Sequence, residues 1–140
     1  MPSIDWNSDL GQRIRKEMQD ELVVWMTTSS ADGTPQPNPV WFVADGDDVI
    51  VYSHHSAARN VNIARSPRVA LNFNSDFHAD RMSVIIGTAA VDASLPATQD
   101  HAGFQHRYGS LIPGIGMTIE EHSDTYSVAI RITPTKIRGW

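Results

Sequence analysis

Apolar residues recur along this chain in two rhythms, and the switch between them lays out its elements. Leu10, Ile14 and Met18 fall four apart behind Asn7 and Ser8, either of which can cap a helix, so a first helix is expected to about Asp20. The pattern then tightens: Leu22–Ser30 is rich in β-branched and aromatic residues and reads as a strand. Ala31-Asp32-Gly33-Thr34 is a hairpin turn, because Asp-Gly supplies the positive φ that a tight turn needs. Pro35, Pro37 and Pro39 interrupt the next strand, which continues through Trp41. Proline cannot donate to a ladder, so this strand must lie at an edge or carry a bulge. Trp41 and Phe42, being adjacent, must face opposite sides of the sheet.

A turn over Asp45–Asp48 leads into a strand at Val49–Ser53, and Ser56–Arg65 reads as a short helix. Two further strands, Val69–Asn74 and Met82–Val91, are joined by the polar turn Asp76–Arg81. Leu95–Tyr108 is expected to be a helix, started by Ser94 with Pro96 in its first turn. Ser110–Met117 mixes glycine and proline with apolar residues and is expected to be a mobile loop, with a last helical turn at Glu120–His122. Strands at Tyr126–Ile132 and Lys136–Trp140 close the chain. Six or seven strands with two or three helices imply a mostly β protein, an antiparallel barrel with peripheral helices. No repeat, low-complexity tract or linker divides it, so residues 1–140 are expected to form one domain.

Composition and the placing of charged and apolar residues change this picture in four places. The chain has no cysteine, which excludes disulfides, thiolate catalysis and cysteine-bound zinc. Its net charge of −5 argues against a nucleic-acid surface, where a basic patch is expected. The opening MPSIDWNSDLG has neither the basic start nor the apolar stretch of a secretory leader. No apolar run approaches the ~20 residues that span a bilayer, so the expectation is a cytoplasmic protein without membrane partners.

The distribution of charge is more telling than its sum. Acidic residues number 16 among 140, yet none lies between Asp48 and Asp76, a window that holds Arg59, Arg65 and Arg68 with His54 and His55. A small-residue turn that opens a helix beside arginines suits phosphate, since guanidinium forks and free N–H groups both favour anions. An ordinary solvated helix would carry the same letters. Tyr126–Trp140 is also free of acids and holds Arg131, Lys136 and Arg138, which suggests a positive groove shared by the two segments. The histidines give no metal site: His54 and His55 are adjacent, His101 and His106 are five apart, and no HExxH or acidic calcium loop is present. His78, His101, His106 and His122 are expected at the surface or in loops. GxGxxG, GxxxxGK[ST] and GxSxG are all absent, which leaves dinucleotide-fold, P-loop and serine-hydrolase readings without support.

The order of parts resembles a known family. DGTPQPNPVWFV, the DGDDVIVYS hairpin, then Ser56, Arg59, Asn62, Ile63 and Pro67 in the pattern S-x-x-R-x-x-N-I-x-x-x-P, and RVALNF follow one another as in the flavin- and deazaflavin-dependent oxidoreductases with the pyridoxamine-phosphate-oxidase-like split β-barrel, the FMN-binding split barrel. The likeness runs from the TTSSADG turn to the closing ITPTKIRGW. Short length and that ending look most like the small actinobacterial members that use coenzyme F-420, a deazaflavin hydride carrier.

The resemblance implies a cofactor site. Arg59 matches the basic position that grips cofactor phosphate, often lysine in the family. Ser53 and Ser56 would give hydroxyls to the same anion, although Ser56 serves equally well as a helix cap. Asn62 falls within the motif and would touch the ligand or brace the helix, the latter being favoured. Pro39, Val40 and Trp41 match the strand that lies along the cofactor ring, and one of His54 and His55 would touch the cofactor.

No catalytic residue is assigned, because in hydride transfer the cofactor carries the hard chemistry. Tyr108, Tyr126 and His78 are conceivable proton donors. The implied function is F-420-dependent reduction of an electron-poor conjugated substrate such as a quinone, enone, coumarin-like lactone or tetrapyrrole, by a homodimer with its sites at the interface. An FMN-dependent reductase or oxidase of the same fold is the alternative. It is disfavoured by the lack of the C-terminal arginine-bearing segment of true pyridoxamine-phosphate oxidases. A non-catalytic flavin, deazaflavin or haem binder is the second alternative.

Overall fold

The two edges of the sheet are one continuous stretch of chain, and this shapes the molecule. The computed structural model describes residues 3–140; Met1 and Pro2, the start of the segment read for a leader, lie outside the described residues. Seven strands pair antiparallel throughout: β1 (Val24–Ser29), β2 (Pro35–Val40), β3 (Phe42–Asp45), β4 (Asp48–Ser53), β5 (Arg68–Asn72), β6 (Ser83–Val91) and β7 (Val128–Gly139). Their spatial order is β2-β1-β5-β6-β7-β4-β3. Since β2 and β3 flank Trp41 in sequence but end the sheet on opposite sides, the sheet must curl until its edges meet at Val40–Phe42. The expected proline-bearing edge strand is therefore present as β2, which pairs only with β1.

The curl encloses an aliphatic core. Val24 and Met26 of β1, Val49 and Val51 of β4, Leu71 of β5, Ile85 of β6 and Ile130 and Ile132 of β7 face inward, joined by Phe42. Helix α1 (Asp9–Asp20) packs Leu10, Ile14 and Met18 on this core, and Ser8 caps it by accepting the Gly11 N–H at 3.0 Å. Helix α2 (Ala58–Arg65) adds Ile63.

A second, aromatic cluster lies on the outside of the barrel. Val43, Ile50, Tyr52 and Ala129 point outward and are covered by Phe104 and Tyr108 of α3 (Ala102–Tyr108) and by Ile112. Helix α4 (Ile119–Thr125) closes that side. Trp41 packs on this outer cluster and Phe42 in the inner one, so the two face opposite sides as expected.

Four expectations about elements change. The Leu95–Tyr108 helix is a 3-10 turn at Thr98–Asp100 followed by the shorter α3, for which His101, not Ser94, accepts the capping N–H. Ser110–Met117 is no open loop: it holds a 3-10 turn, and Ile112 is fully buried. The last helical turn is a full helix, α4, started by a capping box of Thr118 and Glu121. The two closing strands are one strand, β7, with a bulge at Thr135: Ile86 pairs with Lys136 and Gly87 with Pro134, leaving Thr135 unmatched. A bulge is where a strand tolerates proline, and Gly87 is required opposite it, since a Cβ there would lie 2.5 Å from the Thr133 carbonyl oxygen.

Candidate cofactor-binding site

Where the sheet edges meet, the outer helices stop short of β2 and leave a cavity of about 450 Å³. That is within the ~300–1,000 Å³ common for small-molecule sites. Pro39, Val40 and Trp41 form one wall, His54 and Arg59 another, and Tyr52, Phe104, His122 and Tyr126 supply an aromatic third. Because β2 pairs on one side only, backbone groups on its other side meet no strand and are free for a ligand.

The structure thus gathers Pro39, Val40, Trp41, His54 and Arg59 around one space. Ser53 stands directly behind Arg59: it is fully buried, and its Oγ accepts a hydrogen bond from Arg59 Nη1 at 2.9 Å. Ser56 is exposed and off the lining; its N–H donates to His54 Nδ1 at 3.1 Å, and its hydroxyl lies 2.9 Å from the same atom. It does not cap α2, whose N-cap is Ala57 with no side-chain bond, so the capping alternative for Ser56 is overturned. Asn62 does not reach the cavity. Its buried Nδ2 donates to Thr28 Oγ1 at 3.1 Å and Gln36 Oε1 at 3.0 Å, which braces α2 against β1 and β2.

Arg59 is the cation of the site. Burial lowers its pKa while the neighbouring Tyr126 raises it, and a guanidinium stays charged at neutral pH regardless. Among the described residues no carboxylate pairs with it, and none lines the cavity. A half-buried cation without a counter-ion is a standing invitation to an anion.

The shared positive groove is not formed. Arg131 is neutralised by Asp45 at 3.0 Å, Asp48 at 2.9 Å and Asp92 at 2.9 Å, and Arg138 borders a different depression beside Arg81 and Trp140. The hydrogen bond from the Ser94 side chain, followed by that from Arg131, holds the Asp92 carboxyl at a pKa of about 2.

Two expectations about side-chain chemistry are also corrected. Tyr108 is no proton donor to a ligand: it is fully buried, its hydroxyl accepts the Phe42 N–H at 3.0 Å, and the carbonyls of Leu22 and Phe42 each lie 2.9 Å away. His122 is not a surface residue but a wall of the cavity, 2% exposed. Its ring lies between Tyr126, 4.7 Å between centroids, and Trp41, at 5.6 Å. Tyr52 and Phe104 were missed as site residues, because the letters that mark a packed ring do not say that one face is open. His78 and His106 are exposed as expected. Among the described residues no three acidic or histidine side chains cluster to hold a metal.

A family model described as pyridoxamine 5'-phosphate oxidase matches residues 10–140. The chain belongs to that family. No curated protein matches it in sequence. Solved structures similar to this member of the oxidase family share its fold at low identity. One is an F-420 reductase, 24% identical with a TM-score of 0.67, covering 89% of this chain and 94% of that one. Another is the heme storage protein HutZ of Vibrio cholerae, 16% identical with a TM-score of 0.63, covering 94% of each chain. General Stress Protein 26 of Bacillus anthracis is 16% identical with a TM-score of 0.68, again covering 94% of each. The family thus gives the split-barrel fold, and no helix among the described residues is long and apolar enough to cross a membrane.

Proposed function

We propose that this chain is an F-420-dependent oxidoreductase of the small split-barrel subgroup, reducing an electron-poor conjugated substrate such as a quinone or enone. The observation that carries the reading is Arg59, a cation with no carboxylate partner among the described residues, braced by Ser53 at the mouth of a carboxylate-free aromatic cavity. Phosphate fits the guanidinium, and a planar ring fits the wall of Trp41, Tyr126 and His122. Arg59 would hold the phosphate, and the backbone of Pro39, Val40 and Trp41 would run along the ring. When bound, the deazaflavin supplies the hydride. The protein supplies orientation and a dry site.

The rim of the cavity supports a homodimer. Val23 and Ile115 at the lining, with Leu22 beside Val23 and Leu111 and Ile119 four residues either side of Ile115, are large apolar side chains left exposed. A second copy packed there would cover them and enclose the ligand.

Titration of purified protein with F-420 and with FMN, followed by fluorescence, tests the cofactor. The expectation is saturable binding that is tighter for F-420 and weakens with salt, as the contact to phosphate is screened. Equal or tighter binding of FMN gives the flavin enzyme of the same fold instead. A second reading, a haem holder without turnover, is favoured by the two imidazoles, His54 and His122, on the cavity wall. A Soret band on hemin addition, with no turnover of a quinone panel, selects it.

A further inference from the structure

His122 is a polar group of the cavity wall, 2% exposed, that the phosphate contact leaves without a role. Its place is fixed from several sides. The capping box at Thr118 sets the start of α4, the rings of Trp41 and Tyr126 lie nearly parallel to the imidazole at interplanar angles of 29° and 25°, and Phe104 abuts it at 5.5 Å. Its Nδ1 lies 3.3 Å from the hydroxyl oxygen of Thr98, a residue with no solvent exposure.

That contact favours one tautomer. Among the described residues the Thr98 hydroxyl has no other partner, so its proton has only Nδ1 to go to. Placing the imidazole proton on Nδ1 would strand a buried hydroxyl proton without an acceptor, a loss that folded proteins avoid. The neutral ring therefore carries its proton on Nε2. Nε2 has no hydrogen-bond partner among the described residues and is not sealed off from the surface, and His122 lines the cavity. Burial lowers the pKa of the ring, which keeps it an uncharged donor at neutral pH.

We propose that His122 is a specificity-determining residue whose Nε2–H donates a hydrogen bond to a carbonyl oxygen or ring nitrogen of a planar, conjugated ring stacked in the cavity. This rests on the cavity being the ligand site named above. It adds the chemistry the ring must present: an uncharged acceptor on its edge, at the depth of His122. Either the cofactor ring or the substrate carries such a group, and the two sources separate by experiment.

His122→Phe keeps a stacking ring and removes the donor, while His122→Gln returns a donor without the ring. If the cofactor is the partner, His122→Phe raises the Kd for F-420 by roughly 2- to 10-fold and leaves the KM for menadione unchanged. If the substrate is the partner, the KM for menadione rises by that factor and the Kd for F-420 stays. In either case His122→Gln recovers part of the loss. Long-range proton–nitrogen NMR of the parent reads the tautomer directly, and the expected result is a protonated Nε2 whose signal moves when F-420, FMN or menadione is added. A protonated Nδ1, a His122 signal unmoved by all three ligands, or His122→Phe matching the parent in both constants overturns the proposal. Failure of F-420 alone to bind removes the proposed cofactor, while the FMN and menadione spectra still decide the role of His122.

Discussion

The inner and outer clusters of this barrel are built from different chemistry, and the contrast separates what holds the molecule from what it can recognise. Inside the curl the buried side chains are almost all aliphatic, with Phe42 and Phe73 in edge contact at 5.9 Å. Outside, Tyr52, Phe104, Tyr108 and Trp41 pack as rings, with Trp41 and Tyr108 stacked at 4.5 Å. Aliphatic packing is directionless and asks no particular partner of any side chain. The hydroxyls of Tyr52 and Tyr108 each find a protein partner, and where the rings run out of protein to cover them the cluster opens into the cavity. Trp41 stands at the seam, one residue from Phe42.

Breaking the inner side has the largest expected effect. Phe42 is fully buried, so Phe42→Ala leaves a void at the point where the sheet edges meet. A loss of about 3–5 kcal/mol is expected, measured as a lower urea midpoint. Total stability is of order 5–15 kcal/mol, so this is a large share. A loss below about 1 kcal/mol means that the seam is not a closed core.

Arg59→Ala tests the outer side through binding. A charge-assisted contact to phosphate contributes roughly 1.5–3 kcal/mol, or on the order of 10- to 150-fold in affinity for F-420. Stability should change less, because the side chain gives up one protein hydrogen bond, that to Ser53. Arg59→Lys should recover part of the binding, since the charge returns without the planar fork. Unchanged affinity in Arg59→Ala, read by the same fluorescence titration, removes the phosphate from this place.

Tyr108→Phe asks whether a polar tip of the outer cluster is scaffold or chemistry. The hydroxyl accepts the Phe42 N–H, and losing it strands a buried donor, for about 1–3 kcal/mol of stability. Turnover per folded molecule should be retained. A variant that is stable but inactive would place Tyr108 in the reaction.

The sequence made the frame of this comparison legible and hid its detail. Pro35, Pro37 and Pro39 announced the edge strand because the missing N–H is a local fact, and Trp41 and Phe42 had to diverge because strand geometry is local too. Arg131 read as part of a positive groove, since its partners Asp45, Asp48 and Asp92 arrive from strands and a turn distant in sequence. His122 read as a surface residue because α4, IEEHSDT, is short and polar, and only tertiary packing says which face is buried. The final strand read as two, Tyr126–Ile132 and Lys136–Trp140, where a bulge opposite Gly87 in fact carries one strand through. Of the proposed site, the segment from Pro39 to Arg59 was visible as a motif, whereas the aromatic wall joins Tyr52 of β4 to residues of the outer helices and their ends, whose letters also fit plain core.

The smallest expected effect lies in the acid limb of stability, and it concerns the ring that joins the two sides of the cavity. The groups that face His122 are Trp41, Phe104, Tyr126 and the Thr98 hydroxyl, and no carboxylate pairs with it among the described residues. Its folded pKa is lowered by burial, below the ordinary 6.5 of the unfolded chain. As pH falls through 6.5 the unfolded chain takes up this proton before the folded one does, so stability falls with pH over that window. Above it the ring is neutral in both states and contributes no slope. His122→Phe removes the proton site, so the difference in urea midpoint between parent and variant should shift in favour of the variant on going from pH 7.5 to 5.5. Asp92, held at about 2, acts only lower, from about pH 4 downward, and does not interfere. A parent-to-variant difference that is constant between pH 7.5 and 5.5 would mean that the imidazole titrates as freely folded as unfolded, and the ring would then be solvated rather than a wall of the cavity.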